Sequence, residues 1–316
     1  MHPAKSVILF TTASGAGYGL IAWLGVLAAL GALPAGRWFG LAAFGLGLGL
    51  VVLGLLSSTL HLGHPERAWR AFSQWRSSWL SREGVAAVVT FLPIGIFALF
   101  WVVGQTNSGG AAAVGLLASF CCLVTVACTA MIYASLRPVR AWASRWTLPA
   151  YVVFSAATGA VLVNLLLQLW GLPLAASFPW IVLLLLALGA GVKLLYWRDI
   201  ADDTDASTAG TATGLGALGE VRLLEAPHSE SNYLMQEMGF RIARKHAEKL
   251  RRIVLLFGFA APALLVVVGG LLPGVPGILA ALGATLLAGL GIAVERWLFF
   301  AEAKHAVTLY YGESRA

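Results

Sequence analysis

The stretch FGLAAFGLGLGLVVLGLLSSTLHL (residues 39–62) decides the fold class, because it contains no aspartate, glutamate, lysine or arginine over its whole length. A helix of about 20 predominantly apolar residues is long enough to cross the hydrocarbon core of a membrane. The stretch is therefore predicted to be a transmembrane helix.

The rest of the chain has the same character. Its 316 residues are 59% hydrophobic and 11% charged, with a mean hydropathy of +0.83, whereas soluble domains carry about 25% charged residues. Seven further apolar blocks of membrane-spanning length lie at about residues 7–33, 84–105, 111–136, 149–170, 178–197, 253–272 and 277–299. The sequence predicts an all-α, polytopic membrane protein with a single domain of eight transmembrane helices over residues 1–316.

The basic residues are distributed almost entirely to one face of this arrangement. All of the 21 lysines and arginines except Arg37 fall on the face that the N-terminus shares with the second, fourth and sixth loops and the C-terminus. Loops rich in lysine and arginine remain in the cytoplasm. Both termini and these three loops are therefore predicted to be cytoplasmic.

The sixth loop, residues 198–252, is much longer than the others. It begins with the low-complexity acidic run DDTDASTAGTATGLG and continues into NYLMQEMGFRIARKHAEKLRR, where apolar and basic residues alternate at helical spacing. We expect a basic amphipathic helix on the cytoplasmic face. Such a helix binds anionic membrane lipids or provides a docking surface for a partner subunit, and the sequence leaves both alternatives open.

The second loop, HLGHPERAWRAFSQWRSSWLSREG (residues 61–84), gathers histidines, carboxylates and arginines between two apolar spans. His61 ends the second span and Glu83 opens the third, so the two are expected to face each other near the cytoplasmic interface. Histidine titrates near neutral pH and exchanges protons readily. A quinone needs an apolar slot for its tail and a donor or acceptor at each carbonyl oxygen, and this site is predicted to offer both.

Other polar residues within the spans have simpler interpretations. Lys193 lies about one turn from the end of its span and is expected to extend its ammonium group to the interface. Glu295 and Arg296 are expected to pair locally or to border the cavity beside His61. GAGYG (15–19) and GLGLG (45–49) follow no strand, so they predict close helix packing rather than a nucleotide site.

Metal binding by this chain is not expected. The three cysteines, Cys121, Cys122 and Cys128, lie in the fourth span without CxxC spacing. A haem b held by two histidines is a less favoured alternative, because His246 and His305 are predicted to lie in or near water.

The residues STLHLGHPERAWRAF (58–72), followed by SSWLSREG (77–84), resemble the signature of the membrane-anchor subunit of dimethyl sulfoxide reductase and its relatives, the DmsC-like proteins. The resemblance covers nearly the whole chain. It implies an anchor without a metal of its own, which holds an iron–sulfur subunit and a molybdopterin catalytic subunit and exchanges electrons with ubiquinone or menaquinone. It also implicates His61, Glu83 and Arg67 in quinone binding.

The orientation of the second loop and the length of the sixth loop distinguish this chain from the dimethyl sulfoxide reductase anchor. The dimethyl sulfoxide reductase anchor holds its partners on the periplasmic side, whereas the second loop here is cytoplasmic by charge, and the sixth loop is longer. Both features resemble the SoeC-like anchors of cytoplasmic sulfite-oxidising molybdoenzymes. The resemblance implies a protein of the bacterial inner membrane, with its partners on the cytoplasmic face, that passes electrons from sulfite oxidation to the quinone pool.

In this interpretation His61 hydrogen-bonds to a quinone oxygen and protonates it, Glu83 relays protons, and Arg67 or Arg82 stabilises negative charge that develops on the quinone. His64 is a further quinone-binding candidate. The alternatives are the anchor of a reductase that oxidises menaquinol, a proton-coupled transporter, and a purely structural tether. Membrane lipids are expected partners, and nucleic acid is not.

Overall fold

A computed structural model describes residues 3–60, 62–201, 207–225, 246–272, 274–313 and 315. The described residues are 79% helical, and the only β pairing among them is an isolated bridge between Thr208 and Arg315. Eight helices in these ranges are long and apolar enough to cross a membrane. They are α1 Lys5–Ala29, α2 Arg37–Thr59, α3 Trp79–Val103, α4 Gly110–Ala134, α5 Thr147–Leu169, α6 Phe178–Ala201, α7 Ala247–Leu271 and α8 Val275–Ala301.

The eight predicted spans are confirmed, with bounds that differ by a few residues. The largest difference is at α7, which begins at Ala247 instead of near residue 253, because its first turns are charged and still helical. The predicted amphipathic helix of the sixth loop falls mostly on residues 226–245, which lie outside the described residues.

Helices α1 and α5 form the centre of the bundle. Helix α1 packs against α2, α4, α5 and α8, and α5 packs against α1, α4, α6 and α8. In α5, 78% of the most apolar segment is buried, compared with 33% in α3 and in α7. Two long-range hydrogen bonds join α1 to α5: Trp23 Nε1 donates to the Ala156 carbonyl at 2.9 Å, and Ser155 Oγ donates to the Gly15 carbonyl at 2.6 Å.

Glycine allows α1 and α5 to approach closely. A Cβ atom at Gly19 would lie 1.9 Å from the Ser155 carbonyl oxygen, and one at Gly159 would lie 2.2 Å from the Gly19 carbonyl carbon. Gly17 of α1 meets the Gly47 carbonyl oxygen of α2 in the same way, at 2.5 Å. The packing interpretation of the two glycine motifs is therefore confirmed at these positions.

The odd-numbered helices begin, and the even-numbered helices end, at one side of the bundle, which is called the charged end below. Contacts at this end include Ser57 Oγ of α2, which donates to the Ser6 carbonyl of α1 at 3.1 Å, and an ion pair of Arg251 near the start of α7 with Glu302, the residue after α8. The cytoplasmic location of this end stays a prediction from the charge distribution.

Candidate functional site

The described part of the second loop lies at the surface of the charged end. Its central segment, Pro65–Gln74, is a 3₁₀ helix without a buried residue. His64 Nδ1 lies 3.0 Å from Oε1 of Glu66, and Arg67 Nε lies 3.6 Å from the same oxygen. More than half of each of these three side chains is exposed. His61, the principal residue of the sequence prediction, lies outside the described residues.

Arg82 holds this loop against the start of α3. Its Nε donates to the Trp75 carbonyl at 3.0 Å and its Nη2 donates to the Arg76 carbonyl at 2.7 Å. The guanidinium carbon lies 4.3 Å from the ring centroid of Trp79. Arg82 therefore positions the backbone at the end of the loop, a role that the sequence analysis did not anticipate.

Glu83 points in another direction from Arg82, because successive residues on a helix are about 100° apart. Its side chain is buried, and Thr129 Oγ1 of α4 donates a hydrogen bond of 2.7 Å to Oε1. Among the described residues, no hydrogen bond or ion pair connects Glu83 to His64 or Arg67. The structure thus brings Glu83 together with α4 and leaves His64 and Arg67 in a separate surface cluster.

A small polar cavity lies on the other side of Thr129. Its volume is about 20 Å³, which is enough for one water molecule. The polar side chains in its wall come from α1, α4, α5 and α8; they are Thr11, Thr12, Ser14, Tyr18, Thr129, Tyr151, Ser155, Thr158 and Arg296. The buried hydroxyls of Thr12 and Tyr18 have no hydrogen-bond partner in the described part of the chain.

A buried group of three charged side chains, called the α6–α8 triad, borders this cavity. Lys193 Nζ of α6 donates to Oε1 of Glu295 at 2.5 Å, and Arg296 Nε lies 3.3 Å from Oε2 of Glu295. Each side chain is at most 3% exposed. The arginine also lies against Tyr151, with 3.7 Å between its guanidinium carbon and the ring centroid.

The expectation that Lys193 extends to the interface was wrong. Its ammonium group lies inside the bundle because Glu295 of α8 provides a counter-charge, and the ring centroid of Tyr196 is only 3.8 Å from Nζ. Glu295 and Arg296 do pair locally, and Arg296 lines the polar cavity. Ionisable groups at membrane depth are costly, so this pairing needs a structural or functional reason.

An apolar cleft of about 480 Å³ lies between α1, α2, α5 and α8. Leu9 and Leu53 in its wall are about half exposed, so the cleft opens on the outer surface of the bundle. Its other apolar lining residues include Ile8, Ala13, Leu50, Val161, Leu162, Ala288 and Ala293. Thr12, Ala16 and Thr158 line both the cleft and the polar cavity, and their side chains stand between the two spaces.

The sequence analysis missed this arrangement. Part of the signal was present: Thr11, Ser14 and Tyr18 in α1, and Tyr151, Ser155 and Thr158 in α5, recur at intervals of three or four residues, which puts each set on one face of its helix. A second signal was the pair of consecutive ionisable residues, Glu295 and Arg296, near the end of an apolar span.

Comparison with known proteins agrees with the sequence resemblance. The family described as DMSO reductase anchor subunit (DmsC) matches residues 1–224. The sulfite dehydrogenase of Allochromatium vinosum has a subunit that is 34% identical over 334 aligned residues, which cover 98% of this chain and 99% of the relative. The match to the family takes in the second loop, Glu83, Thr129 and Lys193. With its eight membrane-length helices, the chain therefore belongs to the DMSO reductase anchor subunit (DmsC) family of multi-pass membrane proteins.

Proposed function

We propose that this chain is the membrane-anchor and quinone-reactive subunit of a three-subunit molybdoenzyme. It passes electrons from a partner iron–sulfur subunit to the quinone pool, and the partner molybdopterin subunit oxidises sulfite in the cytoplasm. The observation that carries the proposal is the buried carboxylate of Glu83, which Thr129 holds beside a polar cavity at the charged end of the bundle. The name of the 34% identical relative supports sulfite as the substrate.

The residues present fit a quinone. The walls of the cleft are apolar and suit an isoprenoid tail, and the hydroxyl of Thr12 in its wall can donate to a carbonyl oxygen. A bound quinone supplies a two-electron acceptor that takes up two protons on reduction.

The chain's own residues have separate tasks in this proposal. His61 supplies the first proton that the quinone takes up, and Glu83 passes protons between the polar cavity and the aqueous phase at the charged end. Arg82 fixes the loop through its bonds to two backbone carbonyls. Arg67 adds a positive charge at the surface of the loop, and His64 adds a ring that can form hydrogen bonds; both lie next to Glu66.

The position of Glu83 also bears on the rival functions. A proton-coupled transporter also needs a buried carboxylate, but it typically uses charges near the middle of the membrane. Glu83 lies near the start of α3, and the α6–α8 triad lies near the same end of the bundle. This one-sided placement favours exchange with a carrier at one membrane boundary.

Purification in mild detergent with an affinity tag on this chain tests the proposal. We expect iron- and molybdenum-containing chains to co-purify, and sulfite to reduce a soluble quinone analogue. Sulfite oxidation with an artificial dye acceptor provides the control, since it reports on the partners without the anchor. A chain that purifies alone would support the transporter, and partners that oxidise sulfite with dye but never with quinone would support the structural tether.

The second candidate is the anchor of a reductase that oxidises menaquinol, which the family description favours. The same purified complex distinguishes the two directions. Dimethyl sulfoxide reduction driven by a quinol, with no sulfite-dependent activity, would replace the sulfite proposal by this alternative.

A further inference from the structure

The cleft between α1, α2, α5 and α8 leads from the outer surface of the bundle to Thr12, Ala16 and Thr158, whose side chains separate it from the polar cavity beside Thr129. We propose that a quinone enters from the lipid through this cleft and that its head group lies against Thr12 and Thr158, with its tail along Leu9 and Leu53. The inference rests on the proposed function and adds the place and the orientation of the bound quinone.

The size and lining of the cleft suit this occupant. Sites for small organic ligands usually have volumes of about 300–1,000 Å³, apolar walls and a few polar groups. The cleft measures about 480 Å³, and apart from Lys5 and three threonines its lining is apolar or glycine. A flat ring with a long apolar tail matches that distribution.

The inner end of the cleft distinguishes a quinone from a lipid acyl chain. Thr12 Oγ1 is buried, and no group among the described residues accepts its hydrogen bond; the same holds for the hydroxyl of Tyr18 in the cavity behind it. A buried donor without a partner is unfavourable. A carbonyl oxygen at this position accepts a hydrogen bond from Thr12, directly or through a water molecule in the cavity, whereas an acyl chain cannot.

The cavity then connects the head group with the carboxylate that the proposed function uses. Thr129 lines the cavity and donates its hydroxyl hydrogen to Glu83. Glu83 therefore lies behind one hydroxyl group of the cavity wall. Arg296 lines the same cavity, so its positive charge lies behind the wall that the head group contacts and favours negative charge on a carbonyl oxygen there.

Gly289 of α8 provides a sharp test, because it lines the cleft and a Cβ atom added there meets no described atom within 4 Å. The side chain of a Gly289→Trp variant therefore starts in open space, and its indole occupies the cleft. Gly95→Trp is the matched control, since a Cβ at Gly95 also meets open space and α3 does not line the cleft. Thr12→Val removes the inner hydroxyl with little change in shape.

The measurement is photolabelling of the purified complex with an azidoquinone, followed by identification of the labelled peptides by mass spectrometry. We expect labels in α1, α5 or α8 near Thr12 and Thr158, which excess unlabelled quinone suppresses. Gly289→Trp should lose this labelling, Thr12→Val should weaken it, and Gly95→Trp should retain it.

The outcomes separate the two proposals. Labels that unlabelled quinone suppresses but that fall on other helices, or that survive in Gly289→Trp, overturn the cleft as the quinone site and leave the quinone-reactive anchor standing. Labelling at the cleft that phospholipid suppresses and quinone does not shows that the cleft is a lipid site, which also overturns the inference. Wild-type complex that neither reduces quinone nor takes up label in competition with it contradicts the proposed function itself.

Discussion

The hydroxyl group of Thr129 on α4 lies 2.7 Å from Oε1 of Glu83 near the start of α3, and both side chains are buried. This hydrogen bond ties the carboxylate to the wall of the polar cavity. It also gives the carboxylate a hydrogen-bond donor inside the bundle, although Glu83 lies near the end of an apolar helix. The acid is held in place and separated from the exposed arginines of the second loop.

The first prediction concerns the proton-carrying role of Glu83. In Glu83→Gln the amide oxygen still accepts the Thr129 hydrogen bond, but the side chain no longer exchanges a proton. We expect sulfite-dependent quinone reduction to fall by about 10²- to 10⁴-fold, the usual contribution of a general acid or base. Dye-linked sulfite oxidation and the yield of assembled complex should remain at the wild-type level.

Thr129 provides the matched pair for this experiment. Thr129→Ser keeps the hydroxyl and should behave like wild type, whereas Thr129→Val removes the hydrogen bond to Glu83 and should slow quinone reduction by a smaller factor. Full quinone activity in Glu83→Gln would exclude this carboxylate from the mechanism.

The second prediction compares the two histidines of the loop. His61→Ala should leave assembly intact and abolish quinone-coupled turnover, because the proposal assigns the first proton to His61. His64 is 66% exposed and pairs with Glu66, so His64→Ala should change the KM for quinone modestly and leave kcat near wild type. Steady-state kinetics with a soluble quinone measures both. Equal losses in the two variants would contradict the division of roles.

The third prediction concerns the α6–α8 triad, in which one carboxylate serves two cations. Glu295→Gln leaves two buried positive charges without a counter-charge and should destabilise the protein by about 3–5 kcal/mol. Lys193→Met leaves the Glu295–Arg296 pair balanced and should cost clearly less. The thermal unfolding midpoint in detergent reports the difference. If Lys193→Met were less stable than Glu295→Gln, the charge balance of the triad would depend on Lys193 and not on Arg296.

The fourth prediction concerns the crossing of α1 and α5. Gly19→Ala places a methyl group against the Ser155 carbonyl and should destabilise the bundle by about 1–3 kcal/mol, the usual cost of overpacking. Gly15→Ala is the control in the same helix, because a Cβ there meets no described atom within 4 Å. Alanine favours helix, so this variant should be neutral or slightly stabilising. Equal effects of the two changes on the unfolding midpoint would count against the close crossing.

The fifth prediction concerns the orientation in the membrane. A fluorescent-protein reporter fused after Ala316 should fluoresce, and an alkaline phosphatase fused there should be inactive, because the charge distribution puts this end in the cytoplasm. Fusions in the loop between α3 and α4 should give the opposite result. An active phosphatase at the C-terminus would place the second loop in the periplasm and remove the argument for cytoplasmic sulfite oxidation.

The number and limits of the helices were predictable from the sequence because each span is a local property of about 20 consecutive residues. The inward position of Lys193 was not, since its partner Glu295 lies 102 residues away in the sequence. A lone lysine near the end of an apolar span also fits a side chain that reaches the interface. The distance of 2.5 Å between Lys193 Nζ and Glu295 Oε1 shows that the lysine pairs inside the bundle.

The positions of the cleft and the polar cavity could not be predicted from the sequence for a related reason. They depend on how α1, α2, α5 and α8 are rotated about their axes, and a helix that is apolar on all sides gives little indication of its rotation. Thr12, Tyr18 and Thr158 look like ordinary small or aromatic residues of a span until the helices are assembled. The loop residues were identifiable because titratable groups are rare in this chain.

The pairing of Lys193 with Glu295 also constrains how the protein is made. At about 5–20 residues per second, the ribosome needs roughly 5–20 s to synthesise the 102 residues between them. During that interval α6 carries a lysine into the membrane with its eventual counter-ion still untranslated. Biogenesis must shelter this ammonium group, at the insertion machinery or near the lipid head groups, until α8 is inserted. In a chain truncated before α8, Lys193 would remain in the bilayer without its counter-ion. This unpaired charge is a feature by which proteases can recognise an incomplete anchor.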